Sequence, residues 1–250
     1  MNHIYWDVDH ISMLTDDLGT STHSHGMIQF SLALDNIPDI KVERKKIENP
    51  VCLFVQKNVK HSIKLHNGII FTSVIEPASA MGAFLDDIMK DSEYYLVDDE
   101  LSGKLIEYAR PMIDSFDEKS YRQYLNQMYL CLGFQPVKRQ LDERITGFLN
   151  ILQDCTCIDH SVDKFAEELC ISTSRLSHLF SEQVGIPLKS YLTLHQLEKA
   201  YQDILNGNSI TDAAMNAGFD SPSHFAATVK RLMGLPTRRA LKDSRFLKVY

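Results

Sequence analysis

The C-terminal third of this 250-residue chain repeats one short pattern. Gly185-Ile186-Pro187 returns as Gly234-Leu235-Pro236, and Leu176 and Phe180 return as Phe225 and Val229, each 49 residues later. A fixed period of this size marks two copies of one supersecondary unit, since each copy must bury the same apolar positions. In the first copy Val162, Phe165, Ala166 and Leu169 fall on one helical stripe. Cys170-Ile171 makes a turn and Ser172 offers a hydroxyl N-cap. A second helix then carries Leu176, Leu179, Phe180 and Val184 inward and stops at Gly185. In the second copy Ile210, Ala213, Ala214 and Ala217 form the first stripe and Gly218 opens the turn. Ser221-Pro222 supplies a cap and a first-turn proline, and Phe225, Val229, Leu232 and Met233 face inward up to Gly234. Pro187 to Leu205 reads as one long helix closed by Asn206-Gly207. Two helix-turn-helix units held at a set spacing suit two neighbouring major grooves, about 34 Å apart.

The outward faces of the two second helices are the candidate reading surfaces. Thr173, Ser174, Ser177, His178 and Ser181 lie on the first, and Pro222, Ser223, His224, Ala226, Ala227 and Lys230 on the second. These residues are small or hydrogen-bonding and include no acid, as a phosphate-lined groove requires. The alternative, a merely solvated helix face, leaves the repeat unexplained. Residues from about 140 to 240 resemble the DNA-binding domain of the AraC family of bacterial transcription regulators. The resemblance is carried by Ser161 to Ala166, Ser172 to Phe180, Tyr191-Leu192, Leu197 to Ala200, Ile210 to Phe219, Ser223-His224-Phe225 and Gly234-Leu235-Pro236. It implies that Ser174, Ser177 and His178 face bases in the first unit, and Pro222, Ser223, Ala226 and Ala227 in the second. Two positions depart from the family pattern: Gln196 and Ala227 stand where arginine is usual. Arginine's fork matches the O6 and N7 acceptors of guanine, so the second unit lacks its strongest expected base contact. His178 is the better candidate for direct readout, and His224 reads equally well as a packing residue.

Charge agrees with a specific rather than a coating role. The chain carries 26 Lys and Arg against 33 Asp and Glu. From Ser221 onward there are seven basic residues and one acidic, whereas residues 1–138 hold 13 basic and 20 acidic. A basic end on an acidic protein fits moderate phosphate attraction; a solvated basic tail over Lys242 to Lys248 is the other reading. No secretory signal opens the chain and no segment nears the roughly 20 apolar residues of a membrane span. Five cysteines, an odd number, suit reduced thiols and a cytoplasmic location. Cys155 and Cys157 with His160 are poorly spaced for a closed zinc site.

The N-terminal part follows a different period. Ile28, Phe30, Leu32 and Leu34 alternate as on one face of a strand, and Val51 to Val55 makes another. Ile63 to Leu65 leads through His66-Asn67-Gly68 into Ile69 to Ile75, a hairpin signal because Asn and Gly tolerate positive φ. Strands at this spacing argue for a small antiparallel barrel or jelly roll. His23, His25 and Gln29 share parity, so a continuous strand turns all three to one side.

This region resembles the cupin domains often fused ahead of AraC-type domains. The resemblance implies that His61, at the end of Asn58-Val59-Lys60-His61, completes a pocket with His23, His25 and Gln29. In metal-binding cupins the position matching Gln29 is normally Glu, so the resemblance leaves open a divalent metal, an organic effector without metal, or a purely structural barrel. Helical stripes follow at Phe84 to Met89, Leu101 to Ala109 and Tyr121 to Leu132, ending at Gly133. They cover the barrel or pair with a second subunit, since two-fold dimers commonly accompany helix-turn-helix binding to paired half-sites. The expectation is therefore an α+β chain in three parts: a cupin-like antiparallel β-barrel over 1–80, a helical segment over 81–135 and a two-unit DNA-binding domain over 136–250. Gln135 to Arg139 reads as the linker. The expected function is transcription regulation with duplex DNA, a small-molecule effector and a second copy as partners, no catalysis and no obligatory cofactor. The alternative is a metal-dependent cupin enzyme with an accessory helical domain.

Overall fold

A computed structural model describes residues 1–135, 141–154, 162–184, 186–233, 235–240 and 244–249. The chain packs into two compact units: Met1–Pro136 with Thr228–Tyr250, and Val137–Ala227. Strands and the helices after them thus share one unit, and residues 228–250, expected with the DNA-binding domain, group with them. The linker expected at 135–139 lies almost wholly outside the described residues, as do Cys155, Cys157 and His160.

In the first unit the strands are β1 (Asn2–Trp6), β2 (His10–Thr15), β3 (Ile28–Ala33), β4 (Asp39–Val42), β5 (Lys45–Lys46), β6 (Cys52–Val55), β7 (His61–Lys64), β8 (Ile70–Ile75), β9 (Tyr94–Leu96) and β10 (Ser244–Lys248). They form a seven-stranded sheet in the order β10-β1-β2-β8-β3-β6-β9 and a three-stranded sheet in the order β5-β4-β7. The expected α+β class holds, and the strands expected to make a small antiparallel barrel or jelly roll form these two sheets. Among the described residues, isolated bridges, Gly19 with Lys64 and His23 with His61, join segments outside the ladders. The Asn67-Gly68 signal also leads elsewhere than expected. Gly68 does adopt positive φ, +94°, but β7 and β8 belong to different sheets and do not pair. A turn residue sets the local bend; the partner of each strand is set by the surfaces available beyond it. Gly68 is also held by space, because a Cβ there would sit 3.0 Å from Asp35 Cβ and 3.1 Å from the Asn36 nitrogen.

Helices α1 (Ala80–Met89), α2 (Asp99–Ala109), α3 (Pro111–Asp114) and α4 (Glu118–Leu132) follow the strands. Ser79, Asp98 and Asp117 cap α1, α2 and α4 by accepting from backbone N–H groups, and Gly133 ends α4 in the left-handed region. The helices lie on one face of the large sheet, where Leu85, Leu105, Tyr121 and Met128 share a core with Tyr5, Phe30, Phe54 and Phe71. Every residue of β3 is buried. Phe30 and Leu32 therefore face the helices, while Gln29 and Ser31 point to the opposite, inner side. β10 lies parallel to β1, from Asn2 beside Ser244 to Trp6 beside Lys248. This strand replaces the basic tail read from the sequence. Val249 is fully buried, and Phe246 packs 5.7 Å from Trp6.

The remaining helices are α5 (Glu143–Asp154), α6 (Val162–Glu168), α7 (Thr173–Val184), α8 (Leu188–Leu205), α9 (Ile210–Asn216), α10 (Pro222–Met233) and a short α11 (Thr237–Ala240). Phe148, Phe165, Phe180 and Tyr191 form one aromatic cluster, with Phe148 5.0 Å from Phe165 and Phe180 5.1 Å from Tyr191. Phe225 sits 5.2 Å from Phe219 and 6.4 Å from Tyr201. The two repeats fold alike at their turns. Cys170 and Gly218 both hold positive φ, and Ile171 and Phe219 each donate back five residues, to Ala166 and Ala214. Those positions are 48 residues apart, whereas the capping serines, Ser172 and Ser221, are 49 apart. The second turn is therefore one residue longer. Gly185 and Gly234, the expected helix stops, lie outside the described residues.

Candidate functional site

The reading face of α7 is exposed at Ser174, His178 and Ser181 and half-buried at Thr173 and Ser177. Ser172 caps the helix, accepting from the Arg175 nitrogen at 3.2 Å. Thr173 donates its hydroxyl to Asp163 at 2.7 Å, which ties that residue to α6. One correction concerns charge. Glu182 lies beside Ser174, Ser177, His178 and Ser181, with its carboxylate 3.9 Å from His178 Nδ1, so the face does include an acid. Sequence reading missed it because Glu182 was not assigned to either stripe.

On α10, Ser223, His224, Ala226, Ala227 and Lys230 are exposed and Pro222 is half-buried. Ser221 caps this helix through the His224 nitrogen at 3.1 Å. His224 pairs with Asp220 at 3.1 Å and sets its ring edge-on to Phe219 at 5.5 Å. Its packing role is therefore met locally. Gln196 donates to the Gly218 carbonyl at 3.2 Å and braces the second turn. α8, which separates the units, has 18 residues, a length of about 27 Å at 1.5 Å per residue.

The second constellation lies in the β-rich unit. His23, His25 and His61 each present a ring nitrogen within 4.8 Å of the others. These residues do come together, but not on the one strand face that parity implied. His23 and His25 precede β3, and a bend at Gly26-Met27 separates them from Gln29. What gathers them is pairing: His23 and His61 exchange backbone hydrogen bonds at 3.0 and 2.9 Å, and the Asn58 nitrogen donates to the His25 carbonyl at 2.7 Å.

Each ring is held through Nδ1 by a backbone carbonyl two residues away. His23 meets Ser21 at 2.9 Å, His25 meets Met27 at 2.9 Å, and His61 meets Val59 at 3.0 Å. Burial pulls all three pKa values down, to about 4 in His25 and about 3 in His61, with the neighbouring imidazoles adding to the fall in those two. The rings are thus neutral at pH 7, and a neutral ring has one proton. Placing it on Nδ1 satisfies the carbonyl and leaves Nε2 a bare acceptor.

Gln29 is oriented just as firmly. Its Nε2 donates to the carbonyls of Phe30 at 2.8 Å and Ser73 at 3.1 Å, so Oε1 is turned toward His25 Nε2, 3.4 Å away. Among the described residues, the buried Nε2 atoms of His23 and His61 have no hydrogen-bond partner. Beside them lies a cavity of about 30 Å³ lined by His23, Gln29, Thr72 and apolar side chains including Ile11 and Ile63.

The basic end is partly committed to the same unit. Arg239 pairs with Asp17 and donates to the Gly19 carbonyl at 3.0 Å, and Arg245 lies 4.6 Å over the Phe116 ring. Fewer cations remain for phosphate than the sequence count suggested.

Two tandem helix-turn-helix units with capped, outward-facing second helices define the class of the C-terminal part. Residues 165–243 match the family model described as a helix-turn-helix domain. Over 102 residues the chain is 32% identical to the virulence regulon transcriptional activator VirF of Yersinia enterocolitica, covering 40% of this chain and 36% of that one. Over 96 residues it is 28% identical to the arabinose operon regulatory protein of Salmonella typhimurium, covering 38% and 34%. Among solved structures, ToxT from Vibrio cholerae aligns over 93% of this chain and 96% of its own at 13% identity, with a TM-score of 0.47. The chain matches about a third of the length of these curated relatives. The shared domain is thus a helix-turn-helix domain, similar to those of the transcription regulators named above. Among the described residues no helix is long and apolar enough to cross a membrane.

Proposed function

We propose that this protein is a sequence-specific DNA-binding transcription regulator. α7 and α10 enter neighbouring major grooves, and the N-terminal unit senses a ligand at His23, His25, Gln29 and His61. The observation that carries the reading is the pair of capped helices whose outer faces hold exposed hydroxyls and imidazoles over complete apolar cores. His178 is the principal base reader of the first unit. The second unit, with Ala227 in place of an arginine, contributes mainly by shape and phosphate contact through Ser223 and Lys230. Relatives named as transcription regulators support the DNA-binding role; we further propose that the protein works in the cytoplasm as a two-fold dimer on paired half-sites. A metal-dependent enzyme finds less support: a cavity of about 30 Å³ is far below the roughly 300–1,000 Å³ of substrate-sized sites.

Selection of binding sites by the full chain from random duplexes, followed by fluorescence anisotropy, tests this. A defined site with salt-dependent affinity is expected. His178→Ala should cost about 1–3 kcal/mol on that site and relax preference at one base step. No selected site at low salt, or an unchanged selection profile for His178→Ala, would contradict the proposal or its assignment of His178.

A further inference from the structure

The geometry points to a first-row divalent transition-metal ion as the ligand of the cluster formed by His23, His25, His61 and Gln29. Naming the ligand rests on the reading of this cluster as the regulator's effector site. Four acceptors converge here with no donor among them. Each imidazole has its one proton directed at a backbone carbonyl, and the Gln29 amide donates away from the cluster, to the Thr72 hydroxyl and the Phe30 and Ser73 carbonyls. The alternative tautomer of His25 would let Nε2 donate to Gln29, but over 3.4 Å and at the cost of facing Nδ1 against the Met27 carbonyl at 2.9 Å. Buried lone pairs turned on one another are costly unless a positive charge or a donor lies between them.

The chemistry of the set selects the cation. Three imidazole nitrogens and one amide oxygen suit zinc, nickel, cobalt, copper or iron, whereas calcium and magnesium call for oxygen-rich, carboxylate-bearing shells. A backbone carbonyl accepting from each Nδ1–H fixes the tautomer and the ring orientation that a metal-ligating histidine needs. Bonds of about 2.0–2.1 Å bring tetrahedral ligand atoms to roughly 3.3–3.4 Å apart, so loading draws together the three imidazoles, whose ring nitrogens lie within 4.8 Å of one another, while Gln29 Oε1 already stands 3.4 Å from His25 Nε2. With no carboxylate the shell is neutral. Such a shell holds its ion less tightly than one containing Glu, as a reversible sensor requires.

Metal-stripped full-length protein titrated with Co²⁺, followed by its ligand-field absorption and by elemental analysis after Zn²⁺ loading, tests the site without DNA. One equivalent with tetrahedral-type bands is expected, lost in His61→Ala and in the less buried His23→Asn. Gln29→Glu should keep the bands and tighten binding, which guards against a variant that merely fails to fold; circular dichroism checks each fold. No bands in the wild-type chain, or bands retained in all of the histidine variants, would overturn the assignment. DNA affinity measured with and without Zn²⁺ separates the two readings. A bound ion that leaves DNA affinity unchanged refutes the effector role while the ion site stands, and DNA binding without any metal uptake refutes the ion site while the regulator stands.

Discussion

Two tyrosines three residues apart on α4 should respond oppositely to loss of their hydroxyls. Both are fully buried. Tyr121 lies in a polar chain: its hydroxyl meets His10 Nε2 at 2.7 Å and Ser12 Oγ at 2.9 Å, and Ser12 meets Ser73 at 2.7 Å. His10 Nδ1 in turn meets Asp9 at 2.7 Å. Tyr124 has no hydrogen-bond partner for its hydroxyl among the described residues. Tyr121→Phe keeps the ring, including its parallel stack on Tyr5 at 4.3 Å, and so isolates the oxygen. Two bonds are lost, each worth about 0.5–1.5 kcal/mol net, and His10 Nε2 is stranded in the core; Ser12 retains Ser73. The expected cost is about 2–3 kcal/mol. Tyr124→Phe removes an unpaired buried polar atom, so its effect should fall between neutral and about 1 kcal/mol of stabilisation. The chain's single tryptophan, Trp6, reports on this unit alone. Urea unfolding followed by its fluorescence, with an unchanged slope, gives both values. Equal losses in the two variants would refute the argument.

The same chain makes stability depend on pH. Burial opposes charge on His10, but the hydrogen bond and charge of Asp9, with Asp7, raise its pKa; burial likewise opposes charge on Asp9, but His10 and Ser79 lower its pKa. The His10 contribution is therefore complete below about pH 6.5 and lost as pH rises through the folded value, while the Asp9 contribution is lost on acidification below about pH 4. The Trp6-reported midpoint should peak between these limits, and His10→Gln should flatten the alkaline side; a profile unchanged by that substitution would exclude His10. Deleting residues 244–250 tests whether the basic end is a strand or a tail. Loss of buried Val249 and of the β1 ladder should cost at least about 2 kcal/mol, whereas a solvated tail would cost nothing.

Much of the C-terminal architecture was legible because its signals are local. Helix stripes, serine caps and turn residues act within a few positions of themselves, so Ser172, Ser221 and Gly218 could be assigned before any packing was known. The longer second turn was present in the residue spacing, yet it emerged only when the backbone hydrogen bonds of Ile171 and Phe219 were compared. The N-terminal site was legible in membership but not in construction. His23, His25, Gln29 and His61 do converge, though the cause is a bend and a bridge to β7 rather than one continuous strand.

Composition and period by themselves determined the α+β class and the two helix-turn-helix units, and the cupin resemblance named the four residues of the cluster. Tertiary structure alone decided that Asn67-Gly68 joins two sheets instead of closing a hairpin, and that residues 244–248 become an edge strand. Strand pairing draws on backbone groups that every residue carries, so its partner is chosen by which edge and which apolar face stand open after the rest has packed. That information is spread over the first and last residues of the chain, where no local period can record it.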